Sequence, residues 1–186
     1  MNNEFVVFVG PMFGGKTTKL LSALDRYKYQ GREIYAFKPD VDERYSKEEI
    51  VTHWGGKVNA IRIPHGLKIH EVLFDDTLPE PKNVVIAVDE AFMICGIADG
   101  LIDLFKKGHT ILVSSLQLSS SGEPYEEVTR MLPHATKVEV CPAVCSRCDR
   151  DAHYTLKVGG RDDHEIEVGG ADMYQPRCFK HFYVEP

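Results

Sequence analysis

Residues 4–18 of the chain read EFVVFVGPMFGGKTT, an apolar run that leads into a glycine-rich turn. The run over residues 4–9 is continuous rather than alternating, which is typical of a strand buried on both faces of a sheet. After Lys16 the period changes to a helical one, with apolar residues at Leu20, Leu21, Leu24 and Tyr27. Gly31 supplies a helix stop. The segment therefore predicts a strand, a tight loop and a helix in direct succession.

Residues 10–17 fit the pattern G-x-x-x-x-G-K-[ST] at every fixed position. Glycines let the backbone curl so that successive N–H groups point at phosphate oxygens, and the following helix presents its positive end to the same anion. The lysine of such a loop reaches the β and γ phosphates of ATP, and the Thr hydroxyl binds Mg²⁺. At average glycine frequency, a chance match in this chain has a probability on the order of one in a hundred. We therefore predict that ATP is bound by Gly10, Pro11, Met12, Phe13, Gly14, Gly15, Lys16, Thr17 and Thr18.

The rest of the first 140 residues alternates between strand and helix patterns. Strands are predicted over residues 33–37, 84–88 and 110–114, and helices over residues 68–74 and 97–105. Residues 40–66 are polar and irregular, and they predict a long loop with some strand character. This alternation predicts an α/β fold of the P-loop (RecA-like) type, with a mostly parallel sheet and helices on both faces.

Two acidic residues follow the most strand-like segment of the chain. Asp89 comes directly after an apolar strand, where its carboxylate is placed to bind Mg²⁺ beside Thr17. Glu90 follows, and a carboxylate at this position of a P-loop enzyme can take a proton from an attacking hydroxyl. Acids at strand ends are also common without function, but the preceding phosphate loop favours the catalytic interpretation.

Three cysteines and one histidine near the C-terminus form two tight pairs, C-x-x-C and C-x-x-H. Such pairs, separated by a longer insert, close tetrahedral zinc sites. Four ligands leave no open position, so we predict a structural Zn²⁺ held by Cys145, Cys148, Cys178 and His181. Cys95 and Cys141 are predicted to be small buried hydrophobic residues, although Cys141 is close enough in sequence to be an alternative ligand.

The pattern of the chain changes near residue 141, where short hairpin-like segments replace the alternation of strands and helices. We predict a nucleotide-binding domain over residues 1–140 and a zinc-binding lobe over residues 141–186. The 186 residues are enough for a core without disulfides, and the net charge of −6 with no dense basic stripe disfavours a nucleic-acid partner. No secretion signal and no membrane-spanning apolar run is recognisable in the sequence, which predicts a cytoplasmic protein without a membrane partner.

These motifs together resemble the thymidine kinase family, and the resemblance runs in order through nearly the whole chain. It is carried by GPMFGGKT at 10–17, KP at 38–39, DERYS at 42–46, TH at 52–53, DEA at 89–91, AVC at 143–145 and VGGADMY at 168–174. It implies transfer of a phosphoryl group from ATP to the 5′-hydroxyl of a pyrimidine deoxynucleoside, with thymidine the expected substrate and a homotetramer the expected assembly. Glu90 would be the general base, and Asp42 and Arg44 would lie near the phosphates. Residues 165–169 would form a loop around the base, and residues 120 and 174 would also contact the nucleoside. The resemblance therefore implies these substrate-binding residues: Ser120, Glu165, Ile166, Glu167, Val168, Gly169 and Tyr174.

Three positions depart from the family pattern. Phe92 replaces a Gln, Gln117 replaces an acid and Ser120 replaces an aromatic residue that faces the base. The departures leave the phosphoryl-transfer residues in place and predict a looser base pocket.

Two alternative functions compete with this interpretation. A P-loop ATPase whose zinc module binds nucleic acid is expected to have a basic groove, which is not apparent here. A nucleoside monophosphate kinase with a zinc-bearing lid carries its ligands in the middle of the chain, whereas these lie at its C-terminal end.

Overall fold

The computed structural model describes residues 3–42, 46–52, 54–73, 82–159 and 169–186. The strands, in chain order, are β1 (Phe5–Val9), β2 (Ile34–Pro39), β3 (Glu49–Val51), β4 (Lys57–Asn59), β5 (Ile61–Ile63), β6 (Val85–Val88), β7 (Thr110–Ser115), β8 (Lys137–Val140), β9 (Ala143–Val144), β10 (Asp151–Ala152), β11 (Tyr154–Lys157) and β12 (Tyr174–Arg177). The α-helices are α1 (Lys16–Tyr29), α2 (Ile69–Leu73), α3 (Ile97–Lys106) and α4 (Glu126–Met131). Short 3-10 turns span Ala91–Met93 and Leu132–His134, and a single π-helical turn spans Lys180–Val184.

A six-stranded sheet in the order β5-β2-β6-β7-β1-β8 forms the centre of the molecule. Each pairing of neighbouring strands is parallel, as expected when helices connect successive strands. Three two-stranded antiparallel sheets, β3/β4, β9/β10 and β11/β12, lie outside it. The predicted α/β fold with a mostly parallel sheet is confirmed.

Two hydrophobic cores lie on the two faces of the sheet, because successive side chains of a strand point to opposite faces. In β1, Phe5, Val7 and Val9 belong to the core that also holds the buried residues of α2, α3 and α4. Val6 and Phe8 belong to the opposite core, which is covered by Leu20, Leu24 and Tyr27 of α1. Every residue of β1 is buried, which explains its uninterrupted apolar sequence.

The structure adds detail where the sequence predicted a loop. Residues 40–66 contain three strands of three residues each, and the last of them, β5, pairs with β2 at the edge of the main sheet. Strand β8 at the opposite edge and helix α4 were not predicted. The predicted helix over residues 68–74 is found as α2, and residue 74 lies outside the described residues.

Strand β8 ends at Val140, and the two small sheets β9/β10 and β11/β12 follow it. The division into residues 1–140 and 141–186 stays a prediction; the second part is called the C-terminal lobe below. Among the described residues, no helix combines the length and the apolar character needed to cross a membrane.

The parallel topology brings chemically important residues to one edge of the sheet. The phosphate loop (residues 10–17) follows the carboxyl end of β1, and Asp89 follows the carboxyl end of β6. Strand β7 lies between β1 and β6, and its Ser114 is level with Phe8 of β1. Ligands of open α/β sheets bind at this edge of the strands.

Candidate active site and metal centre

The phosphate loop forms a tight turn that leads directly into α1. Gly15 adopts φ 74°, ψ 19° immediately before the first helical residue, a left-handed conformation that glycine reaches without strain. The Lys16 side chain is buried, and its Nζ donates a hydrogen bond of 2.6 Å to the carbonyl of Pro11 within the same loop. The lysine ammonium is therefore held inside the curl of the loop, at the N-terminal end of a fourteen-residue helix.

A cleft at the carboxyl edge of the sheet gathers ten of the predicted site residues. They are Met12, Phe13, Gly15, Lys16, Thr17, Thr18, Asp42, Asp89, Glu90 and Gly169. The cleft is also lined by residues that sequence analysis did not name as site residues, namely Lys38, Glu49, Ile50, Val51, Thr52 and Gly170. Two buried lysines and four acids therefore face one cavity, a composition suited to a polyphosphate and a divalent cation.

Asp89 is a buried residue in the wall of this cleft. Its two carboxylate oxygens each lie 3.2 Å from the Thr17 hydroxyl, and Ser114 donates a hydrogen bond of 2.5 Å to Oδ1. Burial, followed by the charge of Glu90, raises the pKa of Asp89 to about 7, although Ser114, Lys16 and Thr17 act in the opposite direction. Asp89 and Thr17 are thus adjacent across a gap of 72 residues, as the sequence predicted for a shared Mg²⁺.

Glu90 lines the cleft beside Asp89, and its backbone has an unusual conformation. It adopts φ 51°, ψ 43°, a left-handed conformation that is uncommon for residues other than glycine. The conformation turns the chain from β6 into the 3-10 turn that begins at Ala91, and the N–H of Phe92 in that turn donates to the Ser115 hydroxyl at 3.1 Å. Such strained positions cluster at functional sites because the surrounding structure must hold them.

Lys38 is a residue of the cleft to which sequence analysis gave no role. Its side chain is 4% exposed, and its Nζ lies 3.8 Å from Oδ2 of Asp42. It also donates to the carbonyl of Ser46 at 2.8 Å and to that of Glu49 at 3.4 Å. Lys38 thereby links the end of β2 to the start of β3 across the segment that carries Asp42. A sequence does not show whether a lysine is exposed or buried. The KP pair at 38–39, which is part of the family resemblance, was the feature of the sequence that drew attention to Lys38.

Some predicted site residues are not among those that line the cleft. Gly10 and Gly14 pack instead against the main chain of Cys141, and Pro11 accepts the Lys16 hydrogen bond. Tyr174 is buried at the start of β12, and its N–H donates to the carbonyl of Gly170 at 3.0 Å. Arg44 and residues 165–168 lie outside the described residues.

Ser120 is half-buried in the turn closed by the bridge between Leu118 and Pro124, and it does not line the cleft. Close to this turn the rings of Phe92 and Tyr125 pack on each other, with centroids 4.6 Å apart. Phe92 is buried in the hydrophobic core and Tyr125 packs against that core, so this pair of rings does not line the cleft.

The four predicted zinc ligands come together in the C-terminal lobe, with their ligand atoms all within 4.8 Å of one another. The sulfurs of Cys148 and Cys178 are 3.7 Å apart, and Nδ1 of His181 is 3.4 Å from the sulfurs of both Cys145 and Cys178. Tetrahedral Zn²⁺ with bonds of about 2.3 Å to sulfur and about 2.0 Å to nitrogen places sulfurs about 3.8 Å apart and sulfur and nitrogen about 3.5 Å apart. The four side chains, called the Cys/His cluster below, therefore fit a tetrahedral zinc ion.

The surroundings of Cys145 favour a metal-binding thiolate. Burial alone would raise its pKa, but the backbone N–H groups of Cys178 and Arg147, with the His181 ring, lower it to about 6. Cys141 is buried in the core beneath α1 and is not a member of the cluster. The prediction that Cys95 is buried was wrong, because Ile94 and Ile97 fill the core on either side and leave Cys95 exposed.

The fold and the cleft define the class of P-loop proteins, here with four C-terminal side chains that could hold a metal ion. Comparison with known proteins narrows this class: the family model described as "Thymidine kinase" matches residues 3–182. A thymidine kinase of Pyrobaculum aerophilum is 34% identical over 187 residues, which cover 97% of this chain and 99% of that relative. A thymidine kinase of Thermococcus kodakarensis is 33% identical over 184 residues, or 96% of this chain and 93% of that relative. The chain belongs to the thymidine kinase family.

Proposed function

We propose that the protein transfers the γ-phosphoryl group of ATP to the 5′-hydroxyl of a pyrimidine deoxynucleoside, preferably thymidine. The observation that carries the proposal is the cleft in which Lys16, Asp89 and Glu90 face one another at the end of the parallel sheet. Family membership supports the nucleoside as acceptor. The products would be ADP and thymidine monophosphate, which places the enzyme in nucleotide salvage for DNA synthesis.

In the proposed reaction the phosphate loop and Lys16 hold the β and γ phosphates. Asp89 and Thr17 would hold Mg²⁺, which supplies charge neutralisation on the phosphate oxygens when it is bound. Glu90 would accept the proton of the 5′-hydroxyl as its oxygen bonds to the γ-phosphorus and the bond from that phosphorus to the β–γ bridging oxygen breaks. Asp42, held near Lys38, and Arg44 would lie beside the transferred group.

The base would be bound by residues 165–169 and by Tyr174, with Ser120 in the place of an aromatic contact. Gly169 lines the cleft, and Tyr174 is tied by its N–H to Gly170, which lines the cleft as well. This arrangement supports a nucleoside pocket next to the phosphates. Loss of one stacked ring weakens base binding by about 1–3 kcal/mol, which would give a higher thymidine Michaelis constant unless the nearby pair of Phe92 and Tyr125 compensates.

The Cys/His cluster would hold zinc in a structural role. Its four side chains would complete a tetrahedral coordination shell and leave no position for a substrate. The cluster would therefore stabilise the C-terminal lobe, which carries the substrate-binding residues 165–169 and 174.

We also propose a homotetramer in the cytoplasm, in line with the family resemblance. Size-exclusion chromatography with light scattering tests the assembly, and a monomeric mass would contradict it. Family membership and the net charge of −6 favour the kinase over an ATPase that binds nucleic acid.

The experiment that tests the proposed function is an ATP-coupled kinase assay across thymidine, deoxyuridine, deoxycytidine and deoxyguanosine. We expect thymidine to be the preferred substrate and deoxyguanosine to be the poorest. Preference for deoxyguanosine, or ATP hydrolysis that no nucleoside accelerates, would contradict the proposal.

A further inference from the structure

A residue of the C-terminal lobe contacts the phosphate loop directly. Thr155 lies in β11 and is 3% exposed, and its hydroxyl accepts a hydrogen bond of 3.0 Å from the N–H of Met12. The two residues are 143 positions apart in the chain. Met12 lies in the part of the loop that curls between the two glycines of its motif, so this bond fixes one peptide plane of the phosphate cradle.

A second contact acts on the same loop. The N–H of Cys141 donates to the carbonyl of Val9 at 2.8 Å, which continues the pairing of β8 with β1. The Cys141 carbonyl then packs so closely on the phosphate loop that a Cβ added at Gly10 would lie 2.3 Å from it, and one added at Gly14 would lie 2.2 Å from it. The start of the C-terminal lobe and its strand β11 therefore both contact the phosphate loop.

Thr155 is one strand away from the Cys/His cluster. In the β11/β12 pairing it lies opposite Pro176, two residues before Cys178. The carbonyl of Pro176 accepts a hydrogen bond of 3.0 Å from the N–H of Ser146, which directly follows Cys145. The segment of Cys145 is thus hydrogen-bonded to β12, and Cys178 directly follows β12 in the chain. Strand β12 in turn pairs with β11, which carries Thr155.

We propose that Thr155 is a positioning residue that couples the Cys/His cluster to the phosphate loop. With metal in the cluster, β12 and β11 are held in register, and the Thr155 hydroxyl keeps the Met12 peptide in the conformation that binds phosphate. Metal in the cluster therefore strengthens ATP binding, and by reciprocity ATP strengthens metal retention. The inference rests on the proposed function in one respect, namely that the phosphate loop binds ATP.

The experiment is a calorimetric titration with ATP and Mg²⁺, without nucleoside, on protein loaded with zinc and on protein treated with a chelator. Thr155→Val removes the acceptor and keeps the size, whereas Thr155→Ser keeps the hydroxyl. Ser146→Ala is the matched control, because it deletes another hydroxyl of the lobe, one that does not contact the loop, and keeps the backbone N–H that bonds to Pro176.

In the wild type and in the Ser146 and Thr155→Ser variants, we expect metal removal to weaken ATP binding by about fivefold or more, the usual scale of coupling between sites. Thr155→Val should weaken ATP binding to a similar extent with zinc present, and metal removal should then change its affinity by less than about twofold. Hydrogen exchange of the Met12 amide, measured on zinc-loaded protein, should be faster in Thr155→Val than in Thr155→Ser. This measurement needs no chelation and remains informative if the lobe unfolds without metal.

Wild-type affinity and wild-type amide exchange in Thr155→Val would overturn the inference. So would an equal loss of ATP affinity on metal removal in the wild type and in Thr155→Val. Neither result would affect the proposed kinase activity. Failure of the zinc-loaded wild type to bind ATP would instead refute the proposed function together with this inference.

Discussion

At the scale of single residues, the two acids at the end of β6 have different surroundings although they are neighbours in the chain. Asp89 is enclosed by the hydroxyls of Thr17 and Ser114, which suits a group that holds a cation at a fixed place. Glu90 stands on a left-handed backbone at the wall of the cleft, which suits a group that meets a substrate hydroxyl. The proposal assigns the two carboxylates different tasks on this basis.

The role of Glu90 predicts a selective loss of turnover. Glu90→Gln keeps the shape of the side chain and removes its basicity, so turnover should fall by about a hundredfold or more while the affinity for ATP stays nearly unchanged. Glu49→Gln is the matched control, since Glu49 lines the same cleft with its carboxylate 2.9 Å from Lys57. Steady-state kinetics at saturating substrate, with chemistry limiting, provides the measurement. Near wild-type turnover in Glu90→Gln would remove this residue from the mechanism.

The environment of Asp89 predicts a stability that depends on pH. Burial raises its folded-state pKa to about 7 from an ordinary 3.8, so the folded protein keeps a proton that the unfolded chain releases. The stability contributed by this proton is complete below the ordinary pKa and is lost as the pH rises to about 7. In Asp89→Asn, residue 89 does not titrate. The melting temperature of the variant minus that of the wild type should therefore increase between the ordinary pKa of 3.8 and the folded-state pKa of about 7, and stay constant at higher pH. The measurement is thermal unfolding without added Mg²⁺ or nucleotide, and a difference that is independent of pH would contradict the assignment.

Some residues of the site could be predicted from the sequence and others could not. The phosphate loop, Asp89 and the members of the Cys/His cluster were recognisable because fixed spacing carries their chemistry. Ser114 and Thr155 were not, because each is one hydroxyl within a strand pattern, and only the strand register places Ser114 on Asp89 and Thr155 on Met12. Long-range partners of this kind leave no local signal.

At the scale of elements, the phosphate loop is held by packing as well as by its own sequence. The Cys141 carbonyl leaves no space for a side chain at Gly14, a glycine without a positive φ. The requirement for glycine at this position is therefore steric, and it arises from an element 127 residues later in the chain.

This contact predicts the effect of a single methyl group. Gly14→Ala should push the loop away from Cys141 at a cost of about 1–3 kcal/mol, which lowers the melting temperature by roughly 2–4 °C per kcal/mol and weakens ATP binding. Gly31→Ala is the comparison: it adds backbone strain at φ 70° in open space, distant from the cleft, and should lower stability without affecting ATP. Calorimetry and ATP titration measure both effects. An unchanged ATP affinity in Gly14→Ala would contradict the steric account.

The elements themselves were predictable to different degrees. Strong apolar patterns predicted β1, β6 and β7 together with α1 and α3, because these elements fill the two cores. The three-residue strands between residues 49 and 63 and the edge strand β8 were missed or read as loop. They are short or exposed, and distant partners in the sheet, rather than their own composition, define them.

At the scale of the whole molecule, the Cys/His cluster joins segments that are 30 or more residues apart in the chain. In the described part of the C-terminal lobe, the small core around the cluster holds few residues, and the binding energy of a zinc held there would be folding energy. With zinc bound, the cluster would therefore contribute to stability across the lobe rather than at one point.

This dependence predicts the metal content and its consequence. Elemental analysis should find one zinc per chain in the wild type and in Cys95→Ser, whose cysteine is exposed and outside the cluster. Cys178→Ser should lose the metal and show a lower melting temperature. Wild-type protein that contains no metal, or that keeps its stability in strong chelators, would contradict the four-ligand assignment.

The function proposed for this cleft is the transfer of a phosphoryl group from ATP to thymidine. The most direct measurement follows the label of γ-labelled ATP into thymidine and identifies the product by mass spectrometry, in wild type and in Lys16→Ala. We predict labelled thymidine 5′-monophosphate from the wild type, and a loss in Lys16→Ala that exceeds that in Glu90→Gln and includes weaker ATP binding, because the lysine charge contacts the phosphates. Label that appears only in inorganic phosphate, or a Lys16→Ala variant that forms the product at the wild-type rate, would contradict the claim.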